Sequence, residues 1–152
     1  MSCWKDIVKN SVIIFLLFVT VSCLSSCTPN YNADIDAIKS SSVPTNLLVS
    51  AFFAEVPNLG ANTIDAGIAQ LAGVAGSAKW EAYRTEKYKD NPDVVCVAVE
   101  VKCVSDKGNH TAKFQWLLNR SSKQNELIYF DVDGKKKSMM DAIMALKFGS
   151  LK

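Results

Sequence analysis

The chain has 152 residues, of which 49% are hydrophobic, and a formal net charge of only +2 at neutral pH. That length suits one domain plus a removable leader, and the apolar fraction is ordinary for a globular protein. The near balance of charge argues against a dedicated nucleic-acid binder, which carries a clear basic excess.

The first ten residues hold Lys5 and Lys9 against a single Asp6, and Ser11 to Val21 reads SVIIFLLFVTV without a charge. The chain then turns small and polar through Ser22, Cys23, Leu24, Ser25, Ser26 and Cys27. A basic start, a short apolar core and a small-residue zone is the layout of a secretory signal. The apolar core favours lipid because burying each CH₂ is worth about 0.8 kcal/mol. Leu24-Ser25-Ser26-Cys27 resembles the lipobox of bacterial lipoprotein precursors: an aliphatic residue, two small residues, then cysteine. Cys23 fits less well, because Thr20 stands three positions before it.

The resemblance implies that residues 1–26 are a signal peptide, and that Cys27 receives a diacylglycerol thioether. It also implies cleavage before Cys27 and acylation of the new amino terminus by a palmitate-type chain. Two or three acyl chains hold a protein stably in a bilayer, where one binds only reversibly. Thr28, in place of the aspartate that retains enteric lipoproteins at the inner membrane, favours the periplasmic face of the outer membrane. The competing readings are a plain cleaved signal and an uncleaved anchor from Val8 to Leu24, near the lower length limit for crossing a bilayer. Removing residues 1–26 leaves 15 basic and 14 acidic side chains.

Residues 27–62 read as an acylated terminus, tether and approach segment. Ile35, Ala37 and Ile38 allow one helical turn before Ser40-Ser41-Ser42 breaks it, and Leu47 to Phe53 is a short apolar piece of either type. The domain proper is expected over 63–152. A helix over 63–77 follows from Ile64, Ile68, Leu71 and Val74 at helical spacing, with Asn62 or Thr63 as N-cap and Gly76 as its stop. Gly67 and Gly73 weaken it by about 1 kcal/mol each, and are expected to permit close packing on a sheet.

From Lys79 the pattern has period two. Trp80 to Arg84 alternates. Val94 to Val104 puts Val95, Val97, Val99, Val101 and Cys103 on a buried face and Cys96, Ala98, Glu100 and Lys102 on a wetter one. Asp106-Lys107-Gly108-Asn109 reads as a hairpin loop, and the return strand buries Ala112, Phe114, Trp116 and Leu118. Asn119 to Asn125 is a second turn, Leu127 to Val132 another strand, and Asp133-Gly134 supplies positive φ. Ser138 with Asp141 forms a short-acid capping box for a last helix. Met139/Met140, Ile143 and Leu146 share its face, and Gly149 stops it. The fold class is therefore α+β: a helix, a three- to four-stranded antiparallel meander and a C-terminal helix, compatible with a cystatin-like arrangement. Thr63-Ile64-Asp65-Ala66, Lys79-Trp80-Glu81 and Phe114-Gln115-Trp116 resemble small domains of bacterial envelope lipoproteins over roughly 35–148, with an extra segment near 45–60. That resemblance implies an envelope location and a helix-plus-meander fold, and it carries no active site.

Cys96 and Cys103 lie seven apart on one strand, on opposite faces and about 23 Å apart at some 3.3 Å per residue, too far for a disulfide. They read as small buried hydrophobes. His110, the single histidine, has no nucleophile beside it in sequence and reads as a solvated turn residue. Asp131-Val132-Asp133-Gly134 echoes a calcium loop, but Met140 stands where its closing glutamate belongs. No metal or cofactor is expected. Lys135, Lys136 and Lys137 are candidates for contact with anionic phospholipid, against a solvated turn. Trp80 and Trp116 are candidates to line a ligand groove, against the commoner role of core. The expected function is a non-catalytic binding module, tethered to the bilayer through Cys27 and directed at an envelope protein partner. Its rivals are a small-ligand-binding or minor enzymatic cone-shaped domain and a structural envelope protein.

Overall fold

A computed structural model of the chain describes residues 30–43, 60–105 and 108–151. The leader, Cys27 with its lipobox, and the apolar piece 47–53 lie outside the described residues. Residues from Tyr31 onward form one compact unit. In chain order it contains α1 (Asn32–Ser40), α2 (Ile64–Ala72), β1 (Ser77–Tyr83), a single 3₁₀ turn at Glu86–Tyr88, β2 (Val94–Ser105), β3 (Gly108–Asn119), β4 (Gln124–Val132), β5 (Lys135–Lys136) and α3 (Met139–Phe148). The strands form one antiparallel meander in the order β1-β2-β3-β4-β5. The class is α+β, with β5 adding a fifth strand.

Period-two alternation decides what the sheet buries. Val95, Val97, Val99, Val101 and Cys103 of β2 share a face with Ala112, Phe114, Trp116 and Leu118 of β3, because residues paired across an antiparallel ladder point the same way. Phe130 and Val132 extend that face on β4. Ile38 of α1, Ile64, Ile68 and Leu71 of α2, and Ala142, Ala145 and Leu146 of α3 complete one core against it. All three helices therefore cover the same side of the sheet.

Local chemistry fixes the ends. Thr63 Oγ1 accepts from the Ala66 amide at 3.3 Å. Ser138 and Asp141 form the reciprocal capping box at α3, whose last turn closes on Gly149 with φ 62°. Asp133 and Gly134 both have positive φ (53° and 75°) and join β4 to β5 in a two-residue hairpin of the type that needs it at both positions.

Several expectations are corrected. The core starts well before residue 63: Ile38 is fully buried, so α1 is part of the domain and not of a tether. Helix α2 ends at Ala72 with Gly73 as its cap, four residues short of the expected stop, and Val74 is fully exposed. Gly67 does pack closely, but on α3: a Cβ there would stand 2.3 Å from the Leu146 carbonyl oxygen. Gly108 and Asn109 belong to β3, paired with Ser105 and Val104, which leaves 106–107 as the connection outside the described residues. The second turn is confined to 120–123, with Asn119 paired to Gln124. Met140 is exposed; α3 buries Ala142, Ile143, Ala145 and Leu146. Ladder pairing with β4 turns Lys135 and Lys136 into a strand.

Candidate functional site

The aromatic residues picked out for a groove form the middle of the core. Trp116 is fully buried and Trp80 partly buried against it, with ring centroids 6.0 Å apart. Phe114 stacks on Trp116 at 5.7 Å and on Phe130 at 4.5 Å. The Lys39 ammonium covers the Trp80 ring at 5.4 Å. Neither tryptophan lines the clefts of about 530, 190, 200 and 430 Å³ found among the described residues. Packing takes the place of the expected groove: these rings point inward from β1, β3 and β4 and stack on one another, and the buried Trp116 Nε1 has no hydrogen-bond partner among the described residues. Lys135 and Lys136 are exposed, and Lys136 stands across from Asp131. The Lys137 amide donates to the Phe130 carbonyl.

Open space lies instead where the β3–β4 turn meets α1. A cleft of about 530 Å³ is bounded by Tyr88, Asn119, Gln124 and Glu126, and a second of about 430 Å³ by Ala33, Ala37 and Ser40. Leu118 and Lys123 border both. Two contacts set the geometry between them. Arg120 donates from Nε to Asp34 Oδ1 at 2.9 Å and from Nη2 to Asp34 Oδ2 at 2.6 Å, a two-pronged pair that clamps α1 to the turn. Asn125 Nδ2 donates to Ser41 Oγ at 2.9 Å. Asp34 is only 5% exposed, so its carboxylate depends on that guanidinium, and Asp34 in turn holds the Arg120 charge above its ordinary pKa. Lys123 sits at the shared rim with φ 56°. The walls offer amides, hydroxyls, the Lys123 ammonium, the Glu126 carboxylate and the paired Asp34 and Arg120, a set suited to holding a polar ligand.

At the opposite end of the sheet, His110 faces Cys103 across the β2–β3 ladder, and both border a cleft of about 200 Å³. His110 is not a turn residue. It lies on β3, with Nδ1 2.7 Å from Asp133 Oδ2, while Asp133 Oδ1 accepts from the Thr111 amide at 2.8 Å. Those two partners, the imidazole first, hold the Asp133 carboxyl below the usual carboxylate range. Cysteine, histidine and aspartate side by side suggest a nucleophile with its base, but the thiol is wrong for it. Burial pushes the Cys103 pKa up, and its sulfur is directed at the Val101 carbonyl at 3.8 Å. The arrangement braces the β4–β5 turn against β3.

Cys96 and Cys103 are both free and buried, on opposite faces of β2. The Tyr83 hydroxyl donates to the Cys96 sulfur, and that bond together with burial pushes the phenol up to about 12. Burial raises Cys96 itself. Among the described residues, no group of three or more His, Cys, Asp or Glu is placed to hold a metal ion.

The face away from the helices carries a charge ladder that sequence reading missed. Lys79, Glu100, Lys113, Asp131 and Lys136 are successive cross-strand partners on the five strands, so the signs alternate across the whole sheet. Lys113 Nζ lies 3.2 Å from Glu100 Oε2. Each residue alone resembles an ordinary surface charge; only the register aligns them.

The chain matches no protein-family model, no curated protein and no solved structure.

Proposed function

We propose that the chain is the precursor of a bacterial envelope lipoprotein, held to the bilayer by acyl chains on Cys27, with its α+β domain serving as a non-catalytic binding module. One observation carries the reading. Leu24-Ser25-Ser26-Cys27 stands directly behind a basic start and an uncharged apolar run, and the compact unit begins four positions later, at Tyr31. A leader that ends where a domain begins is the arrangement lipid anchoring needs. The absence of aspartate after Cys27 favours the outer membrane's periplasmic face.

The binding role draws support from where polar groups converge. The paired clefts at the β3–β4 turn combine amide and hydroxyl groups with the charges of Lys123 and Glu126 and are built around the Asp34–Arg120 clamp. The one imidazole is engaged by Asp133, and both described thiols are held protonated by burial. An envelope protein partner is the primary expectation. The 530 Å³ cleft favours a second reading, a small polar ligand, because its volume falls in the range of ligand sites.

Intact-mass analysis of protein extracted from membranes tests the anchor. The expected mass lacks residues 1–26 and carries added fatty acyl groups. A protein that begins at Met1, or one without added acyl mass, overturns the reading. Lys123→Glu, which reverses charge at the shared rim, is expected to abolish capture of an envelope partner or ligand without lowering thermal stability.

A further inference from the structure

The sheet has two edges, and they differ. On one side, β4 is covered at its end by β5 and broken by a register shift opposite Gln115 and Trp116. Caps and bulges of this kind keep an edge from pairing with another chain. On the other side, β1 pairs with β2 alone among the described residues. Its seven residues run in unbroken register from Ser77 opposite Lys102 to Tyr83 opposite Cys96, and none is proline. Ser77, Ala78, Lys79 and Glu81 are exposed.

The β1 sequence is complementary to itself. Reversed about Trp80, Ser-Ala-Lys-Trp-Glu-Ala-Tyr places lysine on glutamate and alanine on alanine. We propose that two copies of this chain pair edge to edge through β1, antiparallel about a two-fold axis at Trp80, joining two five-stranded sheets into one of ten strands. Lys79 then faces the partner's Glu81, and Glu81 faces the partner's Lys79, both on the sheet face that the helices leave open. On the helix side Ala78 faces the partner's Ala82, so small side chains flank the place where the two indoles meet. A closed two-fold pairing of one patch with itself is the commonest form of self-association.

Charge selects this register. A two-fold axis at Lys79 or at Glu81 sets like charges directly opposite one another, which is unfavourable. The axis at Trp80 makes both contacts attractive and inserts Lys79 between Glu100 of its own chain and the partner's Glu81, continuing the alternation of the ladder. A solitary lysine on an edge would repel a second copy; lysine and glutamate two residues apart on one face attract it.

The test uses the protein as isolated from the cells that make it, in a density-matched non-ionic detergent, with sedimentation equilibrium as the readout. The wild-type protein is expected to form dimers. Lys79→Glu and Glu81→Lys each turn both attractive contacts repulsive, and each is expected to weaken dimerisation about tenfold or more. An equimolar mixture of the two variants is expected to regain association as a heterodimer, and the double variant K79E/E81K as a homodimer. A wild-type protein that stays monomeric at all concentrations, single variants that dimerise as the wild type does, or a mixture that fails to recover would each overturn the proposal. Disulfide trapping gives a measure independent of charge. Lys79→Cys mixed with Glu81→Cys is expected to cross-link faster than either variant alone, and equal rates would count against the register.

Discussion

The two faces of the sheet are built from the same strands, yet they obey different rules. The helix side is dry at its centre, with Val95, Val97, Val99, Phe114 and Trp116 all but inaccessible to water. The other side carries the Lys79–Glu100–Lys113–Asp131–Lys136 ladder and, among the described residues, no helix. It is not simply wet, however. Cys96 lies between Tyr83 and Leu117, Ala98 between Glu81 and Gln115, and both small residues are buried in furrows between longer neighbours. Alternation therefore tells which way a side chain points, while the length of its cross-strand neighbours decides whether water reaches it.

Substitutions sharpen that contrast. The largest effect belongs to the dry face: Phe114→Ala removes a ring stacked on both Trp116 and Phe130, and is expected to cost about 3–5 kcal/mol in chemical denaturation. Next comes the clamp at the sheet's end. Arg120→Ala leaves the Asp34 carboxylate buried without its guanidinium, at an expected cost of about 2 kcal/mol, and α1 should lose hydrogen-exchange protection before the strands do. The open face should tolerate more. Lys113→Ala removes an ion pair whose members are 50% and 40% exposed, and is expected to cost less than about 1 kcal/mol, with less still at high salt. A loss comparable to that of Phe114→Ala would mean that something covers this face.

The smallest effect is spectroscopic. The Tyr83 phenol is raised from 10.0 to about 12, chiefly by its hydrogen bond to Cys96. A folded-state value above the unfolded one stabilises the fold at and below pH 10, and that contribution is lost as pH rises through about 12. Tyrosinate absorbance should show a late component in the wild type that is missing from Tyr83→Phe. Identical titrations would remove the hydrogen bond from the account.

The edges repeat the lesson at larger scale. Asp133-Gly134 announces a tight turn wherever it occurs, but that it folds Lys135 and Lys136 back to shield β4 depends on Asp131 and Val132 lying in ladder register with them. The sequence of the basic run alone, open to lipid contact or to a solvated turn, does not reveal that pairing. Trp80 and Trp116 follow the same rule, since spacing shows that two rings share a face but not that helices α1 and α2 pack over it.

What could be read from residues alone was whatever a single turn or a single strand decides. The alternation of β2 and β3, the Thr63 and Ser138 caps, the positive-φ turn at Asp133-Gly134 and the opposed faces of Cys96 and Cys103 all depend on neighbours within a few positions. Packing decided the rest. Asp34 meets Arg120 across 86 positions, Gly67 lies against the backbone of α3, and five separate charges fall into one ladder. Such contacts depend on how strands register and helices cross, and no local window of sequence contains both partners.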